Sequence, residues 1–517
     1  MPPEIAAHVV VMTNNRLTDN RSSFIRSTKL KDKTMTKPTT HRTSFATIPD
    51  AEVAAASDRV HQTELVDTIR EWRDVDRVSK LGVGRPALVS DRAILVGMLL
   101  LASDGHPIGV RALSDLFARR LTDESLLLLG IEQLFATPQN EKRAYGAVHN
   151  ALCRLIATFD PYPQKKAALA IPENSPDSEE LALVQSMRAR LDAFSDAFLT
   201  MTLTEGESQF GVSDGKMNVA LTDAYIAATH PRSPRTTATG SLQYGARPKL
   251  PRPVDGRYWA INRSERPGPL TPGDLVEFTP WKARGRAERG WGWEAVIALQ
   301  IPSPTKETMT FPLLALSFDL HTPGVGIQES SITVLQSATR HGCPPGVLVA
   351  DRPLFDGPSN SLGVTAAALG YKTTYPYRRD RLGIQRADEN MILVEGSLYH
   401  PDMPQPFIDA TIDYLDGRID EATYQLRLSR RKLFVVRPRG AAKKRFQPQL
   451  QAFPYGSDVW KETYGGGRNA GERLACKTAA PQDEESASLA IAQVRLTMRL
   501  VAYNLREIER QPKPVGI

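Results

Sequence analysis

The chain has 517 residues, which is more than one ordinary hydrophobic core organises, so we expect two or three folded units. Its formal net charge of +7 at pH 7 favours an anionic partner, such as nucleic acid or a membrane surface. Hydropathy argues against the membrane, because the most apolar stretch, residues 93–102, is about half as long as a spanning helix must be. The N-terminus also lacks the pattern of a signal peptide, and we therefore predict a cytoplasmic protein.

The three cysteines, Cys153, Cys343 and Cys476, are far apart in the sequence and form no CxxC or CxxH pair. Their spacing predicts neither a zinc site nor a disulfide framework.

The first half of the chain predicts a tail followed by a helical unit. Residues 1–50 are polar and basic with little periodicity, which is typical of a disordered tail. Residues 53–160 show helical periodicity, with Ser90 as a candidate N-cap for an apolar helix. The turn at residues 104–109 joins this helix to a second one, and the pair fits either a DNA-reading helix-turn-helix or a simple packing unit.

The second half predicts an α/β unit. Residues 161–180 contain four prolines and an acidic cluster, which indicates a linker. Residues 181–510 then combine apolar runs of strand length with helices. A β-rich insertion is expected at about residues 375–460, where the runs ILVEGSLY and KLFVVRP predict further strands. The run GVLVAD is apolar up to its acid, as in a buried parallel strand. Residues 486–510 predict a long amphipathic helix.

Three acidic residues occupy informative positions. Asp223 follows the strand pattern NVALT, Asp351 closes GVLVA, and Glu472 lies near the start of a helical pattern. Carboxylates at the carboxyl ends of strands can converge, and two or three of them suit a pair of Mg²⁺ ions. Any one of them alone is more often an ordinary turn or cap residue than a metal ligand. Asp214 is an alternative to Asp223, although Ser-Asp-Gly is typical of a turn.

The order of these elements resembles the DDE transposases of bacterial insertion sequences, specifically the insertion-sequence-four-like group. The resemblance rests on VALTDAYIAATHP around the first acid, ADRPLFDG around the second, and a Tyr, Arg, Glu and Lys set around the third. It implies an RNase H-like catalytic domain after an all-α domain for DNA binding and dimerisation. Asp223, Asp351 and Glu472 would be the catalytic residues and the ligands of two Mg²⁺ ions, with Mn²⁺ as a substitute.

The resemblance also implies contacts with DNA. Arg468 matches the signature spacing, whereas Tyr464 is one residue too far from it and Lys477 two residues too close to Glu472. Residues 427–445 contain nine Lys or Arg and no acid, within the inserted region. Tyr375 and Tyr377 are available to stack on a base, while Trp281, Trp291 and Trp293 fit core positions better. The predicted DNA contacts are Tyr464, Arg468, Lys477, Arg352, Arg378, Arg379, Arg430, Arg431, Lys432, Lys443 and Lys444.

The sequence and the resemblance thus predict a transposase that cleaves element ends and transfers the strand into target DNA. The protein would be associated with the nucleoid and would dimerise on double-stranded DNA. The alternative is a non-catalytic DNA-binding protein or an inactive transposase descendant. A nucleotide-binding loop is disfavoured, because Glu472 and Arg473 stand where that motif requires Lys and Ser or Thr. Gly465, Gly466 and Gly467 instead predict a sharp turn before the helix that carries Arg468 and Glu472.

Overall fold

A computed structural model describes most of the chain. The described residues are 46–77, 87–135, 141–161, 178–210, 217–227, 235–236, 242–243, 257–261, 288–301, 312–321, 326–341, 344–351, 354–355, 361–437, 445–478, 486 and 488–511. The predicted tail at residues 1–50 lies almost entirely outside them, as do Asp214 and most of the predicted linker.

The N-terminal part is helical, as the periodicity predicts. Ser90 caps the third helix, since its hydroxyl accepts a hydrogen bond from the backbone N–H of Ala93 at 3.1 Å. The fourth helix follows after the predicted turn. The helices are α1 (Asp50–Gln62), α2 (Leu65–Arg77), α3 (Asp91–Ser103), α4 (Val110–Arg119), α5 (Asp123–Leu128), α6 (Glu132–Phe135), α7 (Glu141–Ala157) and α8 (Ser178–Phe210).

The chain then forms β-strands with helices between them, so the molecule is a mixed α/β protein, as predicted. The strands are β1 (Met217–Ala227), β2 (Arg235–Thr236), β3 (Leu242–Gln243), β4 (Arg257–Ile261), β5 (Glu288–Ile301), β6 (Ala315–His321), β7 (Pro345–Val349), β8 (Lys372–Thr374), β9 (Ile384–Ala387), β10 (Ile392–Val394) and β11 (Ser397–Tyr399). Helices α9 (Ile327–Arg340) and α10 (Ser361–Leu369) alternate with β6, β7 and β8.

The main sheet has six strands and both strand directions. The long strand β5 pairs antiparallel with β1 on one edge, and with β6 and β4 on the other. Strand β1 continues into a parallel ladder with β7, which is parallel to β8. The order across the sheet is therefore β5, β1, β7 and β8, and both β4 and β6 pair with the outer edge of β5.

Both faces of this sheet are covered. Leu221, Val296 and Leu348 belong to a core shared with α9 and α10. Ala220, Ile297 and Val349 belong to the opposite core, which continues into the N-terminal helices. The helical and sheet parts are thus joined by one apolar cluster, although the sequence predicts separate domains.

The C-terminal helix α15 (Leu489–Arg510) connects these parts. Helix α14 (Asp458–Thr478) precedes it. The predicted helix is present, but 18 of the 22 residues of α15 are buried, so it has no broad solvent-exposed face. The polar residues inside it are bonded: Asn504 bridges the backbone of Ala315 and the hydroxyl of Thr202 at 2.8–2.9 Å. Helix α15 lies against α8, α3 and β6.

The inserted region is less β-rich than predicted. Strands β9, β10 and β11 form a small antiparallel sheet, as the run ILVEGSLY predicts. The run KLFVVRP, however, forms only a single antiparallel bridge, from Val435 to Tyr399, because residues Lys432–Phe434 are a 3₁₀ turn that continues the preceding helix. The inserted helices are α11 (Gln405–Ile408), α12 (Ala410–Leu415) and α13 (Glu421–Arg431).

The three consecutive glycines lie inside α14 and do not form a turn. A Cβ atom on Gly467 would lie 2.7 Å from Cγ1 of Val349, and one on Gly471 would lie 2.9 Å from Cβ of Thr222. These two glycines therefore let the helix backbone approach β7 and β1 closely. The predicted sharp turn is wrong because the glycines provide space for packing and not backbone freedom.

We predict opposite effects of alanine at two neighbouring glycines. Gly467→Ala should lower the free energy of unfolding by about 1–3 kcal/mol, because the new methyl group overlaps Val349. Gly466→Ala, the matched control, meets nothing within 4 Å and should raise it by up to about 1 kcal/mol, since alanine is the better helix former. Urea denaturation followed by circular dichroism measures both. Equal effects of the two substitutions would contradict the packing role of Gly467.

Candidate active site

A cleft of about 150 Å³ opens where α14 crosses the ends of β1 and β7. All three predicted acids and two of the predicted DNA contacts line it. Its lining residues are Ala220, Leu221, Thr222, Asp223, Val349, Ala350, Asp351, Tyr464, Gly467, Arg468, Gly471, Glu472 and Ala475. The three acids that line the cleft are up to 249 positions apart in the chain, from Asp223 to Glu472.

Asp351 lies where the sequence predicts it, just beyond the carboxyl end of β7. The parallel pairing of Val349 with Ala220 brings the ends of β7 and β1 to the same level. Asp223 lies three residues beyond Ala220 but still inside β1, because the antiparallel pairing with β5 extends as far as Ala227. It is therefore a mid-strand residue, not one that follows the strand.

The position of Asp223 on β1 separates it from the other acids. Thr222 faces α14, since a Cβ on Gly471 would touch it. Side chains alternate along a strand, and the β1–β5 register is regular here, so Asp223 projects towards the opposite face. On that face it forms a row with Val296 of β5 and Asp319 of β6. Asp223 thus lines the cleft from the edge of the sheet.

Helix α14 presents three polar residues on one side. Tyr464, Arg468 and Glu472 are spaced four residues apart, so successive side chains lie above one another. The extra residue between Tyr464 and Arg468, relative to the transposase signature, does not remove Tyr464 from the cleft, because the helix is continuous through the glycines.

Two contacts organise the polar groups of the cleft. The hydroxyl of Tyr464 donates a hydrogen bond to Oδ1 of Asp351 at 2.8 Å. Burial, followed by the charge of Asp351, raises the pKa of Tyr464 above its usual value, so this hydroxyl stays protonated. Arg468 donates from Nε to Oε1 of Glu472 at 3.2 Å. Burial would lower the pKa of Arg468, but Tyr464, Asp351 and Glu472 outweigh it and the pKa is raised.

The chemistry of the cleft fits a hard divalent cation. Carboxylate oxygens are the ligands that Mg²⁺ prefers, and it commonly takes only one or two carboxylates together with water and phosphate oxygens. Within the described residues, no three His, Cys, Asp or Glu side chains form a ready metal-binding group. Glu472 is more than half exposed, and its i, i+4 pair with Arg468 is worth only about 0.3–0.5 kcal/mol. Rotation of Glu472 towards Asp351 is therefore inexpensive.

Lys477 points away from the cleft. Its ammonium group contacts Oε1 of Glu507 at 2.7 Å and lies over the ring of Tyr503. It is five residues beyond Glu472, and this spacing predicts a different side of the helix. The contacts of Lys477 with Glu507 and Tyr503 connect α14 to α15. Arg352, Lys443 and Lys444 lie outside the described residues.

The predicted basic contacts differ in their exposure. Arg378, Arg379, Arg430 and Lys432 are exposed, although Arg378 pairs with Asp380 and Arg379 with Asp416. Arg431 is only 3% exposed and does not face solvent. Arg431 is therefore not positioned to contact DNA. It follows Arg430 on α13, but its side chain points into the protein.

Arg431 is the centre of a buried ion pair. Its Nη1 donates to Oε2 of Glu395 at 2.7 Å, and its other nitrogens donate to the backbone oxygens of Phe407 and Ile408. Thr411 also donates to Glu395, at 2.8 Å. This pair joins the β10–β11 hairpin to α11, α12 and α13, so its function is to hold the insertion together.

The aromatic residues also depart from the prediction. Tyr375 is buried and stacks on Phe355 with ring centres 4.1 Å apart, and Tyr377 contacts Tyr375 and Tyr455. Neither ring is available to stack on a base. Trp293 is fully buried, as predicted for a core residue, whereas Trp281 lies outside the described residues.

Sequence reasoning missed two residues next to the site. Trp460 stacks on Tyr464 with ring centres 5.2 Å apart, and its Nε1–H donates to Oε1 of Gln451 at 2.6 Å. Trp460 lies four residues before Tyr464. In a continuous helix this i, i+4 spacing predicts that the two rings touch, but the expected turn at the glycines hid the pattern. Gln451 has no comparable signal in the sequence.

Comparison with known proteins does not assign the chain to a family. No protein-family model matches it, and searches of curated proteins and of solved structures found no significant match. Among the described helices, none combines the length and the apolarity that crossing a membrane requires.

We predict a large difference between two adjacent arginines. Arg431→Met should lower the free energy of unfolding by about 3–5 kcal/mol, because it leaves the Glu395 carboxylate buried without its partner. Arg430→Met, the matched control, replaces an exposed neighbour and should change it by less than about 0.5 kcal/mol. Urea denaturation gives both values. A stable Arg431→Met protein would show that Glu395 is held by its other contacts.

Proposed function

We propose that the protein is a DDE-type transposase that cleaves and joins DNA strands with the help of divalent metal ions. The observation that carries this proposal is the cleft, which Asp223, Asp351 and Glu472 line together with Arg468. The proposal also rests on the resemblance of the sequence to DDE transposases. The basic net charge of +7 suits a polyanionic substrate.

The sheet supports an RNase H-like assignment. Its strand order places three antiparallel strands, β6, β5 and β1, beside two that are parallel to β1, namely β7 and β8. Open sheets of this kind bind ligands at the carboxyl ends of their parallel strands, which is where Asp351 lies. The helix after the insertion supplies the third acid to the same edge.

The residues of the cleft have distinct roles in this proposal. Asp351 and Glu472 would hold a divalent cation from the α14 side, and Asp223 from the edge of the sheet. Bound Mg²⁺ ions would activate a water or a 3′-hydroxyl for in-line attack and stabilise the departing 3′-oxygen. Arg468 is at the mouth of the cleft and more than half exposed, so its charge is placed to bind the phosphate that undergoes attack.

A non-catalytic DNA-binding protein is the second candidate. The contacts of Asp351 with Tyr464 and of Glu472 with Arg468 favour it, because both carboxylates already have protein partners. The two candidates make different predictions for strand cleavage but the same prediction for DNA binding.

We predict that removal of one carboxylate abolishes strand cleavage. Asp351→Asn and Glu472→Gln should each reduce the rate of Mg²⁺-dependent nicking by at least about 100-fold, since a catalytic metal contributes several kcal/mol to the barrier. The assay uses a supercoiled plasmid that carries the DNA flanking the coding sequence. DNA affinity should remain the same or rise slightly, because a negative charge is lost.

Glu462→Gln is the matched control, since Glu462 is an exposed acid on α14 that does not line the cleft. It should cleave at the wild-type rate. If the wild-type protein binds DNA but never nicks it with Mg²⁺ or Mn²⁺, the second candidate is correct.

We predict that Arg430 and Lys432 contribute to the salt dependence of DNA binding. Replacing both with Gln should reduce the slope of log K against log salt concentration by about 1.8, because each phosphate contact contributes about 0.9. Arg418→Gln is the control, since Arg418 already pairs with Asp413 and Asp416 of the same insertion. Fluorescence anisotropy with a labelled duplex measures the slopes, and an unchanged slope in the double variant would exclude this surface from the interface.

A further inference from the structure

The two oxygens of the Asp351 carboxylate are not equivalent. Oδ1 accepts the hydrogen bond from Tyr464 at 2.8 Å. Within the described part of the chain, no other hydrogen bond to this carboxylate is formed. A ligand that enters the cleft therefore meets one oxygen, Oδ2, that is available for bonding and one that is already engaged.

The Tyr464 ring is held in place by its neighbours. It stacks on Trp460 with an interplanar angle of 17°. Trp460 is fixed in turn by Gln451, whose Oε1 accepts from the indole at 2.6 Å and whose Nε2 donates to the backbone oxygen of Tyr375 at 2.8 Å. Both ends of the Gln451 amide are thus bonded, which defines the position of Trp460.

The segment that follows Asp351 is attached to the same cluster. Phe355 stacks on Tyr375 with an interplanar angle of 14°, and Tyr375 supplies the oxygen that binds Gln451. The donor of the Tyr464–Asp351 bond is therefore anchored to packed side chains, and the acceptor directly follows the buried residues Val349 and Ala350. The bond is consequently a preorganised feature of the cleft, not a contact between two mobile surface groups.

We propose that Tyr464 determines the metal specificity of the cleft by limiting Asp351 to ligation through a single oxygen, which favours Mg²⁺ over Ca²⁺. The inference rests on the proposed function, in which Asp351 is a metal ligand. Mg²⁺ requires near-octahedral geometry with short bonds, whereas Ca²⁺ accepts six to eight oxygens and readily binds a carboxylate through both. A hydroxyl bonded to Oδ1 occupies one of its two lone pairs, so it disfavours the second mode and orients the carboxylate for the first.

Tyr464→Phe tests this inference, because it deletes the hydroxyl and keeps the ring that stacks on Trp460. The full-length protein is loaded with Mn²⁺, and Mg²⁺ or Ca²⁺ is added as a competitor while free Mn²⁺ is followed by electron paramagnetic resonance. The affinity for Mg²⁺ should fall at least about 10-fold, as is usual when a residue that orients a metal ligand is lost. The affinity for Ca²⁺ should change by less than about threefold, since both oxygens of Asp351 become available to it.

Three comparisons make the test decisive. Tyr414→Phe removes a hydroxyl from a stacked tyrosine of the insertion and should leave both affinities unchanged. If Tyr464→Phe alters neither affinity, or alters both by the same factor, Tyr464 does not determine specificity and the inference is wrong. If Asp351→Asn binds both cations as the wild type does, or the wild type binds neither, the metal site and the proposed function fail together.

Discussion

The close approach of α14 to the central strands is the constraint on which the candidate site depends. Gly467 and Gly471 remove two side chains where the helix crosses Val349 and Thr222. With larger residues at these positions, α14 would move away from the sheet, and Glu472 would move away from Asp351. The glycines thus determine the width of the cleft. Its polar groups come from Tyr464, Arg468 and Glu472, which are spaced four residues apart on the same helix.

The two polar contacts of the cleft differ in strength for physical reasons. The donor of the Tyr464–Asp351 bond is anchored by packed aromatic rings, and the Tyr464 side chain is largely desolvated. The Arg468–Glu472 pair is exposed to water and costs little to break. One side of the cleft is consequently rigid and the other adaptable. In the proposed function, this gives the metal ion one fixed ligand and one movable ligand.

The sequence was a good guide wherever a local pattern determines the outcome. The helical first part, the N-cap at Ser90, the strands of ILVEGSLY and the position of Asp351 after a strand follow from periodicity, capping and strand patterns. It failed where tertiary packing decides. The local sequence does not distinguish Gly467 from a turn glycine, or the buried Arg431 from its exposed neighbour Arg430. The surface that each residue packs against makes the difference. Burial of α15 on all sides likewise depends on helices more than 280 residues earlier in the chain, as between Ser195 and Thr497.

Helix α15 has a consequence for how the molecule is made. It fills the space between α3, α8 and β6, and its Gln493 and Asn504 bond to residues of α8. Until residues 489–510 have emerged from the ribosome, the surfaces of α3, α8 and β6 that α15 covers lack this partner, and the junction between them is incomplete. Native structure at the junction is therefore acquired late in translation.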